Sequence, residues 1–334
     1  MSINKEFLQR DSNITAKVIC DSVSETGKRI TTFELEYNRY IHAELLTHRM
    51  LSKNCSSSRA IPIEKMIGYI ENNMAVPVYL GRNKSGMQAV DEIEEKDEAL
   101  TVWKESFYQI EDSVNKLLDL KVHKQISNRL TEPYQMMKVV VTATEWDNFF
   151  NLRIDKDVQP ELVMLTDKMF NAMQDSSPKT LKAGQRHLPY VDSIEYTEGD
   201  GGYGEYENNQ WYHIEGDGIS LEDAIKISVA SCAAVSYRTE NMTLAKADKI
   251  FDMLINAENL HSSPFEHVAM PMRLPKMKDI AMQKSVSGWD EGVTHMRRDG
   301  NMCSGNFTGW IQYRHLLNNN TCNNFDYNNR MKLF

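Results

Sequence analysis

A chain of 334 residues that is 41% hydrophobic and 25% charged can bury a full core, in one large or two ordinary domains, and is far from a disordered composition. Its net charge of −9 argues against a general nucleic-acid coat or a binder of anionic membranes, while leaving room for a small basic pocket around one phosphate. No apolar run approaches the roughly 20 residues that span a bilayer, the polar start MSINKEFLQRDSN lacks the apolar core of a signal peptide, and the five cysteines have no zinc-type spacing. A cytoplasmic protein (host cytoplasm if the chain is viral) with free thiols and no metal is therefore expected.

Residues 14–21 and 29–37 are rich in Val, Ile, Thr and aromatics and read as strands, with a turn at Ser24 to Gly27. From Ile41 to Met50 the positions Ile41, Leu45 and Leu46 recur at helical spacing, so a helix carrying His42, Glu44, His48 and Arg49 is predicted. Pro62 opens a helix over about 63–71, and amphipathic stretches follow over about 98–120 and 124–130. The run MMKVVVTA at 136–143 fits either a buried strand or a helix end. Helices are expected over about 144–152, 159–174, 221–234 and 243–257, with a strand near 267–273. The acidic, Gly-rich stretch 192–218 reads as a linker or surface excursion. The region 276–304 shows little periodicity, and an Asn-rich loose tail follows Leu317. The pattern is α+β with helices dominant.

Four constellations could carry chemistry. In Thr47-His48-Arg49-Met50-Leu51-Ser52-Lys53-Asn54-Cys55-Ser56-Ser57-Ser58-Arg59, a His- and Arg-bearing helix runs into a hydroxyl-rich loop ending in Arg. Backbone N–H groups, hydroxyls and a guanidinium suit a phosphate monoester; a plain Ser-rich loop beside a solvated helix end is the alternative. The second is Lys124 to Arg129, closed by Glu132-Pro133. The third is Glu145 to Arg153, followed by Gln159 and Glu161, where Asn148 and Leu152 share a helix face beside Arg153. The fourth pairs Ala230 to Tyr237 with His261-Ser262-Ser263-Pro264-Phe265-Glu266-His267. Its His and Glu spacing differs from HExxH and Pro264 breaks a helix there, so no metal site is expected.

Taken together these segments resemble the flavin-dependent thymidylate synthases, the ThyX family, over about 14–175 and 222–275. His48, Arg49, Ser52, Asn54, Ser57 and Arg59 match the signature RHRxxSxNExSxRY. EWDNFFNLR with Gln159 and Glu161 is similar to its NFLNLR…AQWE element, and Arg129 with Pro133 to its Arg-x-x-x-Pro element. The AAVSY and SPFEH segments are similar to its flavin-contacting elements. They follow the signature here instead of preceding it, so the chain reads as a circular permutation. Two positions depart from the pattern: Thr47 stands for the first Arg, and Cys55 for the usual Glu. ITTFELEY and HVAMPM both look like the one strand that joins those elements. Gln312-Tyr313-Arg314-His315 looks like a second approach to the signature, and Arg314 is a candidate for the guanidinium that Thr47 lacks.

The resemblance implies an α+β fold, helix-rich around a central mainly antiparallel sheet and circularly permuted. Its expected parts are a first portion over 14–178, a linker over 179–220, a second portion over 221–317 and a tail over 318–334. It implies Ser57, Ser58, Arg59 and Arg129 on the dUMP phosphate, and Arg153 facing the uracil oxygens. Arg153, Arg49 and Ser57 are the expected catalytic residues. His48, Arg49, Asn148, Ser236, His261, Ser263 and Glu266 would line an FAD site. The implied reaction is reductive methylation of dUMP to dTMP, with methylene-tetrahydrofolate as carbon donor and NADPH as reductant, in a homotetramer that binds no nucleic-acid polymer and no membrane. Two alternatives are a dUMP hydroxymethylase on the same scaffold and a catalytically silent nucleotide- or flavin-binding protein. Cys55 reads either as a thiolate activated by Arg49 or Arg59 or as a bystander thiol.

Overall fold

The computed structural model describes residues 5–86, 91–191, 211–214, 217–236, 242–257, 260–273, 288–318 and 320–322. Strands β1 (Thr15–Ser24) and β2 (Arg29–Asn38) form a hairpin around Gly27, whose φ of 77° needs a glycine. After β2 come a 3₁₀ turn at Arg39–Ile41, the short helix α1 (His42–Leu46) and strand β3 (Ser52–Cys55). Helices α2 (Ile63–Asn72), α3 (Lys96–Asp119) and α4 (Lys124–Ser127) precede a 3₁₀ segment at Asn128–Tyr134 and strand β4 (Met136–Ala143). Helices α5 (Asp147–Arg153) and α6 (Pro160–Gln174) lead to β5 (Lys179–Leu181). The five strands lie in the order β3-β4-β2-β1-β5, antiparallel except for the β1–β5 pair.

Strand β4 explains why its sequence was ambiguous. It is central, between β2 and β3, and is buried on both faces except at Lys138, so its apolar run is continuous instead of alternating. Val139, Val141 and Ala143 join the core built with Leu162 and Leu165 of α6. On the other face Val140 packs with Cys232 and Val235, and the Thr142 hydroxyl bonds Nδ1 of His267 at 2.8 Å.

That second face is covered by the later part of the chain. Strands β6 (Trp211–Ile214) and β7 (Asp217–Ser220) form a hairpin ahead of α7 (Leu221–Ala233). The Ser220 hydroxyl caps α7 by accepting the Asp223 N–H. Helix α8 (Leu244–Ile255) and a 3₁₀ turn at Ser263–Glu266 complete a second core around Phe251 and Phe265. Strand β8 (Ala269–Pro271) follows, then β9 (His295–Met296), β10 (Met302–Ser304), β11 (Phe307–Thr308) and β12 (Trp310–Gln312). Strands β9 to β11 form a small antiparallel sheet, and β12 pairs with β8.

Several expectations need correcting. The helix expected over 41–50 stops at Leu46, because the Thr47 hydroxyl and N–H both turn back onto the Glu44 carbonyl; His48 and Arg49 therefore sit in a turn. The stretch expected to be helical over 124–130 is one α turn followed by a 3₁₀ segment containing Pro133. The strand near 267–273 is shortened to Ala269–Pro271. The linker placed over 179–220 starts too early: Leu181, His187 and Leu188 are buried, β5 pairs with β1, and His187 bridges Ala269. Residues 192–210 of that stretch lie outside the described residues, as do 274–287 and the tail from 323. The aperiodic region holds β9 and β10, whose two- and three-residue strands are too short to show a period.

A buried polar chain crosses the sheet. Ser22 Oγ meets His187 Nδ1 at 2.9 Å, Thr32 Oγ1 meets Nε2 at 2.8 Å, and Thr32 meets Thr142 Oγ1 at 2.7 Å, which leads to His267. Burial holds the His187 pKa down at about 3, against an ordinary 6.5. The unfolded chain therefore binds a proton that the fold refuses, and stability is present above about 6.5 and lost as pH falls toward about 3. His42 and His48 are also depressed, to about 4, and act in the same direction. The expected result is a urea midpoint that falls steadily between pH 7.5 and 5 (about the window these values set). His187→Gln should flatten that slope while leaving the part due to the other two. A slope unchanged in the variant would remove His187 from the account.

Candidate active site

The turn at residues 47–50 is held from inside by Lys53, whose ammonium donates to the His48 carbonyl. Burial lowers the Lys53 pKa. The His48 ring packs edge-on against Phe149 of α5 at 4.8 Å between centroids. Arg153, at the last position of α5, donates from Nε to His48 Nε2 at 2.7 Å and from an η nitrogen to Thr47 Oγ1 at 3.3 Å; Glu44 lies 3.8 Å from another. Burial first, then Arg153 and Lys53, push the His48 pKa down to about 4, so the imidazole is neutral at neutral pH and can accept the Arg153 proton. The guanidinium beside Thr47 is thus Arg153. Arg314, the candidate for that place, pairs instead with Glu266.

Arg153 also lines a cleft of about 690 Å³ between Tyr40, Trp103, the 77–81 segment and the start of α6. Gln159, Glu161 and Asp157 line it as well. Glu161 is buried, and its oxygens accept from the Val78 N–H at 2.9 Å and from Gln159 Nε2 at 3.1 Å. These bonds fasten the cleft wall. Asn148, one turn earlier on α5, is exposed.

The polar stretch expected to be a loop begins as β3, paired with β4 from Ser52↔Thr142 to Cys55↔Val139. Ser57, Ser58 and Arg59 follow it. The Ser58 hydroxyl is buried and donates to Glu132 Oε1 at 3.2 Å. The same oxygen takes Arg129 at 2.8 Å and Arg39 at 2.8 Å, so Glu132 gathers this group. Arg129 is half exposed and Arg59 exposed. Cys55 is half-buried, and burial pushes its thiol up to about 11 despite Lys53 and Arg39; it is a protonated bystander, not a thiolate.

The late segments reach this group. The Ser57 N–H donates to Ser236 Oγ at 2.8 Å, and Asn54 donates to the Cys232 carbonyl at 2.9 Å. Tyr237 lies outside the described residues. Glu266 is tied to Arg314, while His261 and Ser263 are exposed. The structure thus brings His48 to Arg153, and Ser57 to Ser236. It sets the Ser57–Arg129 group and the His48–Arg153 group at opposite ends of β3, whose four residues span about 13 Å. Glu44, Tyr40 and Lys53 belong to the site, but the sequence alone assigns them no role; Lys53 lies within the first constellation. No cluster among the described residues could hold a metal, and none of their helices is long and apolar enough to cross a membrane.

The side chains expected around an FAD keep donors of the kind that group needs. Arg49 is exposed, and no ion pair among the described residues holds it; Asn148 and Ser263 are exposed too. Ser236, which accepts from Ser57, retains its hydroxyl proton to donate. Uncommitted guanidinium, amide and hydroxyl donors are what a diphosphate and ring carbonyls require.

Residues 23–179 match the family model "Thymidylate synthase complementing protein", Thy1. That match covers just under half of the chain, and through it the chain is similar to the flavin-dependent thymidylate synthase family. The match ends before Ser236, His261, Ser263 and Glu266. Among solved structures, the chain is similar to a UMP/dUMP methylase, PolB, from Streptomyces cacaoi bound with 5-Br UMP, at 16% identity and TM-score 0.42, covering 49% of this chain and 89% of that one. It is also similar to Thymidylate Synthase X from Helicobacter pylori with FAD and dUMP, at 19% identity and TM-score 0.30, covering 43% and 67%. No curated protein matches.

Proposed function

We propose that the chain catalyses reductive methylation of dUMP to dTMP, with FAD as cofactor, methylene-tetrahydrofolate as carbon donor and NADPH as reductant. The observation that carries this reading is the Arg153–His48 pair inside the family-matched segment. Bound FAD supplies the hydride chemistry, and the protein binds, orients and polarises. Arg153 has five N–H donors. One goes to His48 and one to Thr47, which leaves others for the uracil oxygens, where a fixed cation favours charge developing on the ring. His48 stays neutral and holds the guanidinium in place. Arg49, Asn148, Ser236, His261 and Ser263 face the flavin in this reading, and Glu266 is held by Arg314.

Ser57, Ser58, Arg59 and Arg129 take the phosphate. Because the phosphate group and Arg153 stand at opposite ends of β3, a homotetramer that pairs the two from different copies completes the site. The junction of Ser57 with Ser236 supports reading the chain as circularly permuted, with the two portions folding onto one sheet. A cytoplasmic setting fits the pool of free nucleotide and folate.

Arg129 tests the phosphate assignment. A charge-assisted hydrogen bond contributes roughly 1.5–3 kcal/mol, so Arg129→Ala should weaken dUMP binding about 10- to 150-fold. Deoxyuridine, which lacks the phosphate, should bind as before. An equal loss for both ligands would make Arg129 a mere partner of Glu132.

A further inference from the structure

The segment 295–312 lies outside the matched region, yet it grips the turn that carries His48 and Arg49. Strands β10 and β11 are joined by a two-residue hairpin, with Ser304 paired to Phe307 and Gly305 at φ 56°. That places Asn306 at the hairpin tip. Its amide donates to the Met50 carbonyl at 2.8 Å and to Ser52 Oγ at 3.2 Å. Its carbonyl oxygen accepts from Gln312 Nε2 at 2.6 Å, and Gln312, buried, also reaches Ser52 Oγ at 3.3 Å. The hairpin is anchored a second time, to the residues just before α5. The Thr308 N–H donates to Thr144 Oγ1 at 2.9 Å, the Thr308 hydroxyl donates to Glu145 at 2.8 Å, and Arg297 pairs with the same Glu145 oxygen. One rigid unit therefore holds both partners of the Arg153–His48 bond: the turn through Asn306, and the base of α5 through Thr308 and Arg297.

We propose that Asn306 is a positioning residue, which fixes the His48–Arg49 turn against Arg153. A backbone carbonyl at a turn end can be satisfied by water; here Asn306 satisfies it from a separate sheet, so the turn takes its position from that sheet. The proposal rests on reading His48 and Arg49 as the cofactor-facing turn, but its test requires neither cofactor nor turnover.

The test follows the His48 ring by NMR as pH is varied in the full chain. The charged groups facing His48 are Arg153 on α5, Lys53 on β3 and Glu44 on α1. Asn306→Ala and Asn306→Asp, which sets an acceptor against the Met50 carbonyl, should let the turn swing from Arg153 and Phe149. The His48 midpoint should then rise by about one pH unit or more toward its ordinary value. Asn301→Ala, at the opposite hairpin of the same small sheet, removes a bond to exposed Asp299 and should leave the midpoint in place. If Asn306→Ala does not fold, Asn306→Ser decides, since it shortens the reach while keeping one donor. A folded Asn306 variant with an unmoved His48 midpoint, or an equal shift in Asn301→Ala, overturns the proposal. An unmoved midpoint with normal dUMP turnover leaves the proposed function standing. A shifted midpoint in a protein without dUMP turnover overturns only the function.

Discussion

Arg153→Ala is expected to lower dUMP turnover by about 100- to 1,000-fold, the cost of losing one preorganised donor to developing charge. Three contacts make this residue hard to replace. Its Nε meets His48, one η nitrogen meets Thr47, and another faces Glu44. Lysine keeps the charge but not the planar fork, so Arg153→Lys should recover little. The side chain lies at a cleft edge, not in the core, so the melting temperature should change by only a few degrees, about the effect of 1 kcal/mol. Loss of the neighbouring cation should also raise the His48 midpoint from about 4. Turnover within a few-fold of wild type would show that the guanidinium does not face the reacting ring.

Trp310→Ala should destabilise the fold by about 3–5 kcal/mol, as expected for a buried aromatic removed from a packed core. Trp310 is fully buried among Ile30, Leu181, Ala269 and Phe307. Its indole N–H donates to the Lys28 carbonyl at 3.0 Å. The contacts tie β12 to the hairpin of β1 and β2, so one substitution at the chain's far end should unfold the matched segment too. Since domains are stable by about 5–15 kcal/mol, such a loss is a large fraction of the whole. Urea unfolding followed by tryptophan fluorescence and by far-UV circular dichroism should show one transition at a much lower midpoint. Two separate transitions, with the first portion unaffected, would mean that β12 is an appendage.

Strands β1 and β2 were legible because Val, Ile and Thr recur in segments bounded by a Gly turn. Helix α6 was legible from Pro160 at its start and a long apolar face. Strand β3 was not, since Ser-Lys-Asn-Cys carries no strand preference; it is a strand because β4 offers it a ladder. The residue types at the site were legible from the family signature, but their pairing was not. Nothing in Thr47 announces that Arg153, more than a hundred positions later, fills the space beside it. Nor does Arg314 announce a partner in Glu266, because an ion pair depends on where β8 and β12 bring their ends together. Asn306 was invisible for the same reason. It sits just past the region without period, at the tip of a two-residue hairpin, and its role comes from that hairpin reaching a distant turn.

The most direct test of the central claim is the mass of the nucleotide formed when the full chain is incubated with dUMP, methylene-tetrahydrofolate, FAD and NADPH. The account predicts a product heavier than dUMP by one methylene unit, co-migrating with dTMP, and absent when FAD or NADPH is withheld. A product carrying an added hydroxymethyl group, or unchanged dUMP from protein that holds FAD and oxidises NADPH, would contradict it.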